Sequence, residues 1–380
     1  MSRAKSSDVD VVIPLFNGEK WIAETLEAVL GQTHPPAAVV VVDDGSTDGS
    51  FEIVRRYPSV RLLTNELKGA NYARVMGLRS VGSPLIAFLD QDDLWYRGHL
   101  AVLTGLLRAH PSAVAAFTEI RAEPALEAGL FDPWVHFPYQ GISTPSAVLM
   151  RRCLLMKIGG WPTSFPGVAD AVTWLKLGAM GPFIRAAYPT LQRRLHETSY
   201  SRSLRSDNVE EYLQSSLAGS AHAIDFMQSI RGADASEVYR RRLAIFREIL
   251  VAFDLTARGD VATTREHARR HSEPLADLSE RELATLAAFA LWFLEMKMLR
   301  IAGGKLELAT RAHRCRSLST LHNHLYVRLS RDLRFREILI HTLLHGLHPV
   351  AISHLVHAGL LRVQSRLDSW RTRLTAERNG

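Results

Sequence analysis

The chain has 380 residues, 47% of them hydrophobic and 22% charged, with 24 Gly, 16 Pro and a net charge of +7 from 46 Lys and Arg against 39 Asp and Glu. That is more chain than one core ordinarily organises, so two domains are expected, and the balance excludes a disordered chain, a collagen-like repeat and a polytopic membrane protein. The two cysteines, Cys153 and Cys315, are too far apart in sequence for a paired-cysteine zinc site, and two are too few for a disulfide framework; a reducing compartment is the simplest setting.

The first residues, MSRAKSSDVD, lead directly into a strand-like run with no charged, apolar and cleavable leader, so export is not expected. Residues 10–14, 38–42, 60–63 and 84–89 are short runs of branched apolar side chains, predicted as buried strands of a parallel sheet. Helical spacing separates them, in Trp21, Ile22, Leu26, Val29 and Leu30, in Phe51, Ile53 and Val54, and over residues 70–78. Strand and helix alternating at this pace predict an open α/β sheet with ligands beyond the carboxyl ends of its strands.

From about residue 204 Gly and Pro thin out, and residues 209–229, 235–256, 261–270 and 280–302 read as helices, two of them forming a hairpin through residues 257–260. The expected organisation is therefore an α/β domain over 1–203 and an all-helical domain over 204–380. The most apolar long window, 283–301, is interrupted by Glu295, Lys297 and Arg300 and falls short of a spanning helix.

The charge is uneven. Residues 1–203 carry 20 basic and 19 acidic side chains, whereas residues 311–380 carry 12 and 4, with eight of the 16 histidines. His341 and His345 are four apart on a presumed helix, but a zinc site needs a third ligand and supporting partners, which the neighbouring residues do not supply. The histidines are better read as polar edges of amphipathic helices. Their apolar side, bordered by Arg362, Arg366, Arg371 and Arg373, fits self-packing, an oligomer contact or docking on an anionic membrane surface. Stacking aromatics and a recognised nucleic-acid motif are lacking, so nucleic acid is not an expected partner.

Two acidic clusters fall at predicted strand ends. Asp43 and Asp44 close a four-valine strand, where a carboxylate either contacts a base or ribose or, with Ser46, caps the next helix. Asp90, Asp92 and Asp93, with only Gln91 between them, place three carboxylates at one strand end. Their repulsion calls for a cation, and hard oxygen ligands suit Mg²⁺ or Mn²⁺ holding a diphosphate; the plainer alternative is a solvated acidic turn. Arg74, just before this strand, is a candidate phosphate contact or else a solvated cation.

With both clusters in view, the first 200 residues resemble the family 2 glycosyltransferases of the GT-A fold. The resemblance rests on VVIPLFNG (11–18), VVVVDDGSTD (39–48), KGANYARVMGL (68–78), LIAFLDQDDLW (85–95), KIGGW (157–161), ADAVTWLKLGAMGPF (169–183) and RRLHETSYS (193–201). It implies that Asp44 contacts the nucleobase, with Pro14, Phe16 and Asn17 near the same pocket. It further implies that Asp90 and Asp92 are the acidic positions of an Asp-X-Asp motif, Asp92 the direct metal ligand and Asp90 either a ribose contact or a group that supports the metal ligand from behind. Asp170 then stands as the general base and His196 as a second group reaching metal or diphosphate. One position departs from the family, which usually has Glu-Asp where this chain has Ala169-Asp170.

The expected activity is a metal-dependent inverting transfer of a sugar from a UDP-, dTDP- or GDP-sugar to a hydroxyl of a saccharide, lipid-linked or small-molecule acceptor. The expected location is cytoplasmic, peripheral at the inner face of the membrane, with a homo-oligomer as a further option. A nucleotidyltransferase would need a basic phosphate-binding loop, and residues 16–20 hold one Gly and one Lys. The non-enzyme alternative is a degenerate nucleotide-binding domain serving as an assembly module, for which Ala169 speaks.

Overall fold

The computed structural model describes residues 8–120, 129–137, 142, 144–194, 196 and 209–257. The chain divides into two compact units, Met1–Arg240 and Arg241–Gly380. The predicted helices beyond residue 257 and the whole basic, histidine-rich tail lie outside the described residues.

The first unit is built on a mixed eight-stranded sheet. The predicted strands are present as β1 (Val9–Leu15), β2 (Ala38–Asp43), β3 (Val60–Thr64) and β4 (Leu85–Phe88), followed by β5 (Leu94–Trp95), β6 (Ala115–Phe117), β7 (Gly129–Phe131), β8 (Val148–Arg151), β9 (Phe183–Arg185) and β10 (Leu191–Gln192). Sheet order is β3-β2-β1-β4-β8-β6-β9-β7, and β10 pairs with β5 in a separate ribbon. The strands β3-β2-β1-β4 are parallel, β8 runs antiparallel to β4 and to β6, and β9 and β7 extend the far edge. The sheet is thus parallel from β3 to β4 and mixed beyond it, where β6 and β9 pair in parallel while β8 and β7 run antiparallel to their neighbours. β1 and β2 are buried almost throughout because neighbours and helices cover them, whereas β3 is an edge strand with Arg61 and Thr64 exposed, not the buried strand its apolar run predicts.

The helices are α1 (Ile22–Leu30), α2 (Ser50–Arg55), α3 (Ala70–Arg79), α4 (His99–Ala109), α5 (Arg152–Lys157), α6 (Ala169–Met180), α7 (Val209–Arg231) and α8 (Ala233–Ala257). Gly77 lets α3 lie close on β1, since a Cβ there would stand 2.2 Å from Val12 Cγ1. α7 is laid on α6: Gly219 faces Val172, and the Arg231 guanidinium donates to the carbonyls of Gly178 and Ala179, both at 2.7 Å, which otherwise end α6 without partners. Among the described residues no helix is long and apolar enough to cross a membrane.

β1 pairs with β2 through Leu15 and Asp43 and with β4 through Val12 and Phe88. The chain therefore leaves β1 between two strands that continue in opposite directions across the sheet, the switch point at which open α/β sheets hold ligands. Phe16, Asp44 and Asp90 all follow from strand ends at this place.

Under the site, His99 on α4 stacks on Trp95 at 4.3 Å and shares a 2.7 Å hydrogen bond between Nδ1 and Thr190 Oγ1. Complete burial holds its imidazole neutral, with a pKa lowered to about 3. The unfolded chain takes up this proton near pH 6.5 and the native chain only near pH 3, so the contribution to stability is present above pH 6.5 and drains away as pH falls toward 3. Urea melts at pH 7 and 4.5 should register roughly 2 kcal/mol of acid loss from this group, and His99→Gln should flatten the profile. Parallel profiles for the two proteins would show that His99 is not the titrating group.

Candidate active site

The turn after β2 is shaped by its own carboxylates. Asp43 accepts the Gly45 and Ser46 N–H groups at 3.2 and 3.3 Å, and Gly45 adopts φ +84° beneath the Lys68 ammonium, which donates to Asp44 O at 2.9 Å. Asp44 is buried at 8% exposure, and its carboxylate accepts Asn65 Nδ2 at 2.6 Å and the Gly69 N–H at 2.8 Å. Of the two readings of this turn, the cap fails for both residues. The Ser50 N–H that opens α2 goes to Asp48 at 3.0 Å, and the Ser46 hydroxyl accepts the Asn17 N–H at 3.0 Å.

Pro14 is buried in β1 opposite Val42, Phe16 is 53% exposed, and Asn17 takes φ +48°. The Asn17 side chain accepts the Thr47 N–H at 2.8 Å, and Glu19 accepts the Gly49 N–H at 3.0 Å, so the loops after β1 and β2 are laced together. Asn17 therefore holds the two loops together.

The acidic loop after β4 is held from several sides. The Ser146 hydroxyl accepts the Asp90 N–H at 3.0 Å, and the Thr25 hydroxyl lies 2.8 Å from Gln91 O and 3.2 Å from Asp93 O. Arg74 is buried rather than solvated: Nη2 meets Asp90 Oδ1 at 2.5 Å, Nη1 meets Asn71 Oδ1 at 3.3 Å, and the guanidinium lies over Trp161 at 5.2 Å. The His196 ring Nε2 is 2.6 Å from Asp92 Oδ2, although the two are 104 residues apart.

The loop is electrostatically costly. Burial, and then the charge of Asp90, push the Asp92 carboxyl above its ordinary range, against the opposing pull of His196. Asp93, 2% exposed, is pushed up to about 7 by burial first and then by Asp90 and Asp92. Both shifts come first from burial and then from the crowding of like charges. Carboxylate oxygens with one imidazole nitrogen are donors suited to Mn²⁺ or Mg²⁺. Among the described residues no three such side chains stand together as a metal site.

Two residues to which the sequence assigns no part in the site hold the Asp92–His196 corner, Arg194 through Asp92 and Trp21 through the His196 ring. Arg194 donates from Nε to Asp92 O and from Nη1 to Glu24, each at 2.5 Å, and from Nη2 to Thr25 Oγ1 at 3.0 Å. Trp21 stacks on the His196 ring at 5.3 Å, with the Arg194 guanidinium 4.8 Å from its own ring centre.

Asp170 comes from a different element, the half-buried first turn of α6, where Oδ1 accepts the Ala171 N–H at 2.8 Å. Its neighbour Ala169 is packed into the core, so an apolar contact fills the position where the resembled family carries Glu. Trp174 is wholly buried against Trp161 and Phe183, a packing role. The Gly159-Gly160 turn before Trp161 has both residues at positive φ.

A mixed α/β sheet of this order, with acidic loops at the ends of β2 and β4, has the GT-A fold. Residues 10–130 match the family model described as glycosyl transferase family 2. The chain is 33% identical over 182 residues to an uncharacterized glycosyltransferase of Rickettsia conorii, covering 45% of this chain and 30% of the relative. It is 35% identical over 102 residues to the Escherichia coli UDP-Glc:alpha-D-GlcNAc-diphosphoundecaprenol beta-1,3-glucosyltransferase WfgD, covering 26% of this chain and 40% of the relative. The matches thus span less than half the length of either relative. In fold, the chain is similar to S. aureus TarS 1-349, crystallised in complex with UDP-GlcNAc, with a TM-score of 0.52 and 15% identity over 77% of this chain and 88% of TarS 1-349.

Proposed function

We propose that the chain is a metal-dependent inverting glycosyltransferase that moves a sugar from a nucleotide-sugar to a hydroxyl of a saccharide or lipid-linked acceptor. The observation that carries this reading is the contact of Asp92 with His196 at 2.6 Å, beside the Arg74–Asp90 pair and the buried Asp44 at one switch point. Asp92 and His196 would hold a divalent cation, which when bound neutralises the leaving diphosphate as a Lewis acid. Asp44 and Asp90 offer acceptors to base and ribose, and the exposed ring of Phe16 borders that pocket. Arg74 acts through Asp90, holding its carboxylate in place, more than as a free phosphate ligand.

Asp170 takes the proton of the acceptor hydroxyl. The acceptor oxygen bonds to the anomeric carbon as the bond from that carbon to the diphosphate oxygen breaks, and the configuration inverts in one displacement. The relative that acts on a diphosphoundecaprenol-linked sugar supports a lipid-linked acceptor. Nucleotide release should be screened with UDP-, dTDP- and GDP-sugars and a lipid-diphosphate-linked saccharide, with Mn²⁺ present or chelated. Release that depends on both acceptor and metal supports the reading; no release, and no protection of the fold by any nucleoside diphosphate, overturns it.

A lipid-linked acceptor would also give the basic tail a purpose, holding the chain at the cytoplasmic face of an anionic membrane. Replacing Arg362, Arg366, Arg371 and Arg373 by Ala should release the full chain from vesicles containing phosphatidylglycerol in a sedimentation assay. Equal partitioning of the two proteins would end the membrane reading.

A further inference from the structure

We propose that Gln91 is a positioning residue that registers the nucleotide-binding loop after β1 against the acidic loop after β4; the inference rests on the glycosyltransferase reading. The Gln91 amide closes a two-way pair with the main chain of Phe16: Oε1 accepts the Phe16 N–H at 2.7 Å and Nε2 donates to Phe16 O at 2.9 Å. This is the bonding of a strand partner, supplied by one side chain where β1 has ended and no strand continues. Gly18 makes the room. A Cβ there would stand 2.8 Å from both Cδ and Oε1 of Gln91 and 2.9 Å from Cδ1 of the buried Leu15, and Gly18 itself has no positive φ that would demand glycine for conformational reasons.

The side chain fits the task through its length and its two-sided chemistry. Asn is one methylene shorter, and Glu keeps the acceptor for the Phe16 N–H but sets a carboxylate oxygen against Phe16 O and adds a charge to a loop already crowded with carboxylates. The Gln91 main chain is fixed in turn, since its carbonyl accepts the Thr25 hydroxyl at 2.8 Å. Through Gln91, the groups facing the base and those facing the diphosphate form one unit, so a displaced acidic loop would carry the Phe16–Asn17 wall of the pocket with it. Binding should suffer more than the chemical step, because Gln91 hydrogen-bonds Phe16 rather than any group assigned to the reaction.

The test is a double-mutant cycle in the full chain with Gln91→Met, which keeps the length and loses both hydrogen bonds, and Gly18→Ala, which crowds the amide from the other side. Calorimetry would measure the Kd for the nucleoside diphosphate that the wild type binds best among UDP, dTDP and GDP, in Mn²⁺, alongside donor KM, kcat and the thermal midpoint. Each single substitution should raise Kd and KM about tenfold, the scale of two ordinary hydrogen bonds, with kcat close to wild type in both and the midpoint close to wild type in Gln91→Met, while Gly18→Ala also presses on Leu15 and should melt somewhat lower. The double variant should be no worse than the weaker-binding single one, because both act on one contact. An unchanged Kd in Gln91→Met, or losses that multiply in the double variant, would overturn the inference while leaving the glycosyltransferase reading in place. A fall in kcat and midpoint with Kd and KM unchanged would reduce Gln91 to a structural role. A wild-type chain that binds none of the three nucleotides overturns the reading itself, and the inference with it.

Discussion

Asp92→Asn is expected to lower kcat/KM by about a thousandfold, a loss of about 4 kcal/mol of transition-state stabilisation, and to make the remaining turnover indifferent to chelation. The substitution keeps the side-chain volume and removes the charge that would face the cation. It also relieves the repulsion from Asp90 and the burial that raise this carboxyl above its ordinary range. The apoprotein should therefore melt no lower than wild type at pH 8, where the native carboxylates are most fully charged. That pairing of lost activity with retained stability separates a missing metal ligand from a misfolded loop. Turnover within tenfold of wild type, still sensitive to chelation, would move the metal contact to another residue.

The second large effect is expected at Asp170. Asp170→Asn should reduce transfer by about a hundred- to ten-thousandfold, the range for loss of a general base, while the Kd for nucleoside diphosphate and Mn²⁺ stays at the wild-type value. The separation follows from the architecture: Asp170 belongs to α6, whereas the groups proposed for the donor come from the ends of β1, β2 and β4 and from His196. The N–H of Ala171 that Asp170 now accepts can be kept by the carbonyl of Asn, so the start of α6 should survive. Unimpaired transfer would assign proton removal to a different group. Weakened nucleotide binding would place Asp170 on the donor side.

The elements and the chemistry were differently legible. β1, β2 and β4 are runs rich in branched apolar residues, the last two leading into aspartates, and such runs have few alternatives to a buried strand, so their position and the acidic ends of β2 and β4 could be read directly. β3 has the same composition but lies at the sheet edge, and no local pattern distinguishes an edge from an interior place. Nor does local pattern reveal that β8 runs antiparallel between β4 and β6, since β8 is only four residues long and reaches its partner from far along the chain. Arg74 shows the same limit in a side chain. Its spacing on α3 is that of a solvated cation, and only the approach of Asp90 and Trp161 turns it into a buried one.

By itself, then, the sequence determined the alternating strands and helices, the carboxylates at strand ends and the glycosyltransferase resemblance, because hydrophobic periodicity and short motifs are properties of neighbouring residues. The tertiary structure decided which distant groups meet: Asp44 with Asn65 and Gly69, Gln91 with Phe16, and Arg194 with Glu24 across 170 positions. Those contacts depend on strand order. Setting β1 between β2 and β4 brings three chain-distant loops to one crevice, and the hydrogen bonds between them follow from that placement.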